Sequence, residues 1–530
     1  MQLIAGLAML VATASSQRVV PISIGKSDSG AGASILRPRT PFSEMLANNL
    51  TGGGYYAKVQ VGTPGQTITM QIDTGSSDVW MLSQDADLCH DKRLKEIYGD
   101  CTDTFDPSKS STYKLLAQDG FTITYADSSG VSGDYFSDNL SIDGADTIKA
   151  LQMGLGKNST INTGLMGIGF DTDEASTTVY PSIIDQMQSQ GLIGIKAYSL
   201  YLNDLQSSTG TILFGGIDTG KYTGSLKAVP IEPDSESHAI TSFTVTLSSL
   251  VAVSDNGTSI NLAPSAIPVI LDSGTTLTYL PQEVANNIQS MLQAYDDTDD
   301  SGLVLVDCSH LVLDQSLAFQ FQFGATADGP VINVPISEVV INDVSAYLQS
   351  GQIKLPSELP FTSANACSLG IRASSAPYIL GDTFLRSAYV VYDLTHNEIA
   401  LAQSSFNSTL ENIIEIPASA TGIPLVSGTT SQHSGQQTAT GTPGNSSTQT
   451  TQTTLTTRTD QTTQTIHSTT QTTQTTINKP TTTNSSPSNS ASGASQNGAK
   501  TRASVPNSAV FAVAGLTVLH VILSRALFVI

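Results

Sequence analysis

Across residues 51–405 the apolar and β-branched positions fall in short runs broken by Gly, Pro and Asp, as at 56–61, 68–72, 121–125 and 243–247. Runs of this length bounded by turn residues predict strands, and their density predicts an all-β body with a few short helices. Helices are predicted at 181–190, 281–294 and 337–348. The first two open with Pro, whose missing N–H costs little in a first turn.

The ends of the chain read differently. An apolar run at 3–11 followed by small residues predicts a secretory signal peptide over 1–16, with a buried N-terminal strand as the alternative. From 441 to 480, 21 of 40 residues are Ser or Thr, and only Leu455, Ile466 and Ile477 are large and apolar. Such text cannot bury enough surface to offset its ordering entropy, which predicts a disordered, O-glycosylated stalk over 425–497. Small residues at Asn497, Gly498 and Ala499, a polar spacer at 500–508 and an apolar tail at 509–530 follow. That order predicts a GPI-attachment segment over 498–530, with Asn497 or Gly498 as the attachment residue. His520 and Arg525 interrupt the tail, and a single membrane-spanning helix is the alternative.

Charge and cysteine count narrow the class. The chain has 23 Lys plus Arg against 45 Asp plus Glu, a net charge of −22, with no basic cluster, so nucleic acid is excluded as a partner. Charged residues make up only 13%, a composition suited to acidic surroundings. Four cysteines in an exported chain predict two disulfides. Of three connectivities the local one, Cys89 with Cys101 and Cys308 with Cys367, is the simplest. Neither pair has the CxxC spacing zinc usually takes, so no metal is expected.

The organising feature is an internal repeat. Gln71-Ile-Asp-Thr-Gly-Ser-Ser recurs as Ile270-Leu-Asp-Ser-Gly-Thr-Thr, which sets Asp73 and Asp272 199 positions apart. An apolar strand precedes each copy. An apolar pair before glycine follows each, Leu165-Met166-Gly167 and Ile379-Leu380-Gly381. Such a duplication predicts two related lobes that meet at the shared feature. A lone Asp-Thr-Gly is weak evidence, because many ordinary turns carry it, and Asp218-Thr219-Gly220, which lacks the matched frame, reads as such a turn.

Two carboxylates within hydrogen-bond reach cannot both ionise easily, so they share a proton over an acidic range and supply an acid and a base in one site. The pair can activate a water against a peptide carbonyl with no cofactor. Gly75 and Gly274 let backbone approach each carboxylate, and the hydroxyls of Ser76 and Thr275 can bond its outer oxygen.

With these motifs the chain resembles the pepsin-like aspartic proteases from about residue 55 to 402. Asp78-Val79-Trp80, 210–216, 222–226 and 379–386 match as well. The resemblance implies a bilobal fold, with an N-terminal lobe at 50–232, a C-terminal lobe at 233–415 and the site in the cleft between them. It also implies a flap at 123–130 whose Tyr125 hydrogen-bonds toward Trp80, with Ala126 where relatives commonly carry Gly. The stalk, the GPI-like tail and the twelve-residue cysteine spacing are similar to the fungal surface-anchored, yapsin-like branch. On that likeness 17–40 would be a propeptide, and Arg37-Pro38-Arg39 a processing region.

The enzyme would be a monomer cleaving polypeptides. It would travel the secretory pathway to the cell surface, tethered to the membrane by a GPI anchor or linked to cell-wall glucan. Asp127 beside the flap tyrosine would extend P1 tolerance to basic residues, or would simply form the turn. Sequons stand at Asn49, Asn139, Asn158, Asn256, Asn407, Asn445 and Asn484. The rival class is a catalytically inactive pepsin-fold binding protein or wall mannoprotein.

Overall fold

The computed structural model describes residues 18–26, 53–142, 147–207, 209–299, 301–345, 359 and 361–429. The expected signal peptide, the stalk beyond residue 429, the GPI segment, and Asn49, Asn445, Asn484, Asn497 and Gly498 lie outside them.

Alternating apolar residues build a 13-stranded sheet that starts at Tyr222–Pro230 and ends at the flap strand Lys114–Thr124. Its middle runs through Glu398–Ser404, Ala388–Asp393, Ala197–Tyr201, Thr209–Phe214, Val20–Lys26, Tyr55–Val61 and Gln66–Asp73. A second sheet of eight strands carries Thr244–Val253, Ile267–Leu271, Tyr378–Leu380 and Thr278–Pro281, and a four-stranded sheet holds Ala366–Leu369. The fold is the mostly β, bilobal one expected, with few short helices.

In the middle strands the period-two alternation separates two layers. Tyr198, Leu200, Val390, Tyr392 and Leu401 join the main core. Their neighbours Ala197, Tyr201, Tyr389, Val391 and Ala400 face a second cluster, closed by Ile416 and Ile423 from the chain that follows the last long strand. This clasp continues through bridges from Thr223 to Thr429 and from Ser225 to Ser427.

Two predicted helices form. Ile183–Ser189 is capped by a reciprocal Ser182–Asp185 box, and Gln282–Met291 starts after Pro281. The third differs: the described helix is Ile336–Val339, the chain then becomes the strand Val340–Asp343, and 346–348 lie outside the described residues. The β-branched run Val339-Val340-Ile341 is buried and pairs with Ala366–Leu369, so sheet pairing overrides the helical pattern. Val20–Lys26, inside the expected propeptide, is a core strand between Thr209–Phe214 and Tyr55–Val61, with Val20, Ile22 and Ile24 buried.

Both local disulfides are present, Cys89–Cys101 and Cys308–Cys367. Among the described sequons, Asn158, Asn256 and Asn407 are exposed and Asn139 is half-buried. The amide nitrogens of Asn139 and Asn407 bond Thr63 Oγ1 and Asp204 Oδ2 respectively.

Candidate active site

Each aspartate ends an apolar strand and is fixed by the strand beside it. Gln66–Asp73 pairs in parallel with Gly164–Gly167, and Ile168 N–H donates to Asp73 O at 2.9 Å. In the second half Ile267–Leu271 pairs in parallel with Tyr378–Leu380, and Asp272 N–H donates to Leu380 O at 3.2 Å. The repeated apolar-apolar-Gly segments therefore support both turns in the same way.

The turns interlock. Thr74 N–H donates to Ser273 Oγ (3.2 Å) and Ser273 N–H to Thr74 Oγ1 (2.9 Å). The two hydroxyls in turn donate to Leu271 O and Ile72 O, each at 3.0 Å. Gly75 N–H meets Asp73 Oδ1 at 2.7 Å, and Ser76 Oγ–H meets Asp73 Oδ2 at 2.5 Å. Gly274 and Thr275 do the same for Asp272, at 2.8 and 2.5 Å. A Cβ on Gly274 would stand 2.3 Å from Asp73 Oδ1, and one on Gly75 2.6 Å from Asp272 Cγ, so the close approach requires glycine at both positions.

The carboxyls of Asp73 and Asp272 lie within hydrogen-bond reach of each other. Both are nearly buried, at 4% and 8% exposure. Burial, and then the charge of Asp272, push Asp73 well above the usual carboxylate range, against the opposing bonds from Ser76 and Gly75. This is the arrangement in which a carboxyl holds its proton beside a second carboxyl.

Over the pair stands the hairpin of Lys114–Thr124 and Gly130–Ile142. Trp80 Nε1–H donates to Tyr125 Oη at 2.8 Å. Burial and the nearby Asp73 charge raise the Tyr125 hydroxyl far above its ordinary value, which places it beside the dyad. The left-handed residue at the tip is Ser128 (φ 67°), so Ala126 needs no glycine freedom. Asp127 Oδ1 accepts Ser129 N–H (2.9 Å) and Oγ–H (2.6 Å), the geometry of a turn former.

Asp218 also makes a turn, accepting Gly220 N–H at 2.9 Å, and it holds the C-terminal clasp through Asn412 N–H at 2.7 Å. Among the described residues there is no cluster able to hold a metal ion.

Sequence reasoning assigned no role to several buried polar groups around the site. Asp78 accepts from Tyr180 Oη–H (2.6 Å), Tyr135 Oη–H (3.0 Å) and Ala175 N–H (2.7 Å) beneath the flap, where Tyr135 packs edge-on against Phe121 and Phe121 against Trp80. An acid immediately before the apolar run Val79-Trp80-Met81 was the available signal. Behind Asp272, Arg386 Nε–H donates to Glu338 Oε2 at 2.5 Å, with Asp382, Tyr55 and Lys26 nearby. Gln71 reaches across to the opposite turn.

Two β halves that meet at interlocked aspartate turns under a tyrosine-tipped hairpin define a pepsin-like aspartic protease. Residues 54–404 match the family described as eukaryotic aspartyl protease, and the chain belongs to that family. It is 37% identical over 395 residues to the probable aspartic-type endopeptidase opsB of Aspergillus fumigatus, covering 70% of this chain and 72% of that one. It is 36% identical to secreted aspartic protease 8 of Candida albicans, covering 68% and 78%. The crystal structure of the aspartic proteinase from Irpex lacteus shares the fold, with a TM-score of 0.52 at 21% identity, covering 74% of this chain and all of the other. The chain is accordingly an aspartic endopeptidase, a hydrolase acting on polypeptides.

Proposed function

We propose that Asp73 and Asp272 are the catalytic pair and that they cleave peptide bonds in acid through a water held between them. The observation carrying this reading is that two matched turns bring two nearly buried carboxyls into hydrogen-bond reach, each held by one glycine N–H and one hydroxyl. The ionised member takes a proton from the water, whose oxygen bonds to the scissile carbonyl carbon. The protonated member gives its proton to the carbonyl oxygen. Collapse of the resulting diol breaks the C–N bond, with the proton passing to the leaving nitrogen. Tyr125, held by Trp80, closes over the substrate. Activity is expected to fall when both carboxyls are protonated and again when both are ionised.

Asp73→Asn and Asp272→Asn each test this reading. Loss of cleavage of a denatured protein in acid, with folding kept, is expected. Undiminished proteolysis would refute the pair and favour the inactive, binding-protein reading.

The signal-like start and two closed disulfides support export, and the similar Candida albicans protein is named as a secreted protease. The Ser/Thr stalk and apolar tail support a GPI tether at the cell surface or a link to wall glucan. Release from membranes by a GPI-cleaving phospholipase is expected; retention would favour a membrane span. Both bonds of the Ser129 turn fall on Asp127 Oδ1, which leaves Oδ2 for a P1 ammonium. Asp127→Ala should lower the ratio of Lys-P1 to Leu-P1 cleavage, and an unchanged ratio would leave Asp127 as a turn former only.

A further inference from the structure

Among the described residues, the bonds that Thr74 and Ser273 make between the two aspartate turns come in reciprocal pairs, and Gln71 adds one that has no counterpart. Gln71 Nε2–H donates to Gly274 O at 3.1 Å, spanning 203 positions of sequence. The corresponding residue in the second copy is Ile270, which offers the Gly75 carbonyl no donor. The repeat is broken here, on a half-buried side chain two residues before Asp73.

Register fixes where Gln71 stands. Strand alternation puts it on the same face as Asp73. Across the sheet it is paired with Tyr56 on one side and Leu165 on the other, and Leu165 is paired with Trp80. Gln71 therefore belongs to the row that runs from the dyad toward the flap tryptophan. Its amide meets the carbonyl of Gly274, which joins the two residues that hold Asp272: Gly274, whose N–H bonds Oδ1, and Thr275, whose Oγ–H bonds Oδ2.

We propose that Gln71 is a positioning residue for Asp272, which braces the Gly274–Thr275 peptide from the opposite lobe so that both donors stay on the carboxylate while the pair exchanges its proton. This rests on the dyad reading above. The brace is one-sided, because the Asp73 turn has no equivalent donor from Ile270, so its loss should disturb Asp272 and leave the Asp73 turn intact. A neutral amide suits the position. It shares a strand face with Asp73, bonds the turn that carries Asp272 and is register-paired with Tyr56, and a cation there would compete for the carboxylates.

The test compares Gln71→Ile, which copies the second repeat, with Gln71→Glu, which can donate to Gly274 O only as the protonated acid. Active molecules are counted in each preparation by titration with a tight-binding transition-state analogue, and kcat and KM are measured across pH with one peptide substrate. Gln71→Ile is expected to lower kcat about 5–10-fold with KM within about twofold, at a ratio to wild type that does not vary with pH. Gln71→Glu is expected to approach wild type near about pH 3.5 and to fall to the Ile level by about pH 6, as the introduced carboxyl ionises next to the dyad. Wild-type kcat in Gln71→Ile, or an equal and pH-independent ratio for both variants, would overturn the proposal. Asp73→Asn in the same assay separates the two readings: activity surviving there removes the dyad itself, whereas wild-type behaviour of the Gln71 variants removes only the brace.

Discussion

Asp382 offers a sharp test of how burial couples this fold to pH. Its side chain is 1% exposed, Oδ1 has no hydrogen-bond partner, and Oδ2 accepts only a long 3.4 Å bond from Gly54 N–H. Burial pushes its carboxyl up to about 8, against the opposing attraction of Arg386 and the Gly54 bond; the Asp272 charge adds to the rise and Lys26 resists it. A folded value above the unfolded 3.8 means that the stabilisation is complete below about pH 3.8 and is lost progressively as pH rises through about 8. At about 1.4 kcal/mol per pH unit, the climb from about pH 4 to pH 7 removes roughly 4 kcal/mol through this one group, or ~2–4 once the site relaxes and admits water. Asp382→Asn keeps the shape and the acceptor but removes the proton linkage. Urea unfolding at about pH 4, 5.5 and 7 should give a variant curve flatter than wild type by that amount. Asp73 and Glu174, the latter pushed up to about 8 chiefly by its burial, tilt both proteins in the same direction and cancel in the difference. Lys26, lowered to about 8 by burial and then Arg386, stays charged throughout that range. Parallel curves for wild type and variant would refute the assignment.

Arg386→Met strands the buried Glu338 carboxylate and should cost about 3–5 kcal/mol in thermal unfolding, with Arg386→Met/Glu338→Gln recovering much of the loss. Trp80→Phe removes the donor to Tyr125 and should lower kcat/KM about fivefold, the equivalent of ~1 kcal/mol, while Tyr125→Phe added on top should cost less than it does alone. Cleavage between Lys26 and Tyr55 should leave Val20–Lys26 bound to the body, since three buried aliphatic side chains at about 1.5–3 kcal/mol each join a ladder paired on both edges. Mass spectrometry of the processed protein under native conditions, then in denaturant, checks this; loss of the strand under native conditions refutes it.

The dyad was legible because a duplication writes its axis into the text: Asp73 and Asp272 share a frame, and the apolar-glycine segments that support them share another. The local disulfides were legible by proximity in sequence. Gln71 is the one position of the match where a polar residue in one copy stands opposite an apolar one in the other, but its meaning needed the partner carbonyl 203 positions away. Arg386 and Glu338 lie 48 positions apart on short elements with no shared period, so nothing local announced their pairing. Val20–Lys26 carries a readable alternation, Val20, Ile22 and Ile24 inward, but its place before an expected processing region gives no local sign of the sheet it completes. At 337–348, strand-forming Val340 and Ile341 sat inside a pattern of helical length, and tertiary pairing decided between them.

The two copies of the turn are alike in their bonds but not in their surroundings, and that difference bears on how the site responds to pH. Asp73 lies under the flap, near Tyr125 and the tryptophan that holds it. Asp272 is braced from the other lobe by Gln71 and backed by the buried set of Asp382, Arg386, Glu338 and Lys26, one member of which comes from the N-terminal strand. In acid Asp382 is neutral, so it places no negative charge behind Asp272. As pH rises toward about 8 it ionises, adding a like charge near the dyad while withdrawing folding stability. Stability and the ionic surroundings of the dyad therefore change over the same pH range, and in Asp382→Asn the neutral-side limb of the kcat/KM profile should move together with the stability curve. If the stability curve flattens while that limb stays in place, Asp382 governs the fold and not the dyad.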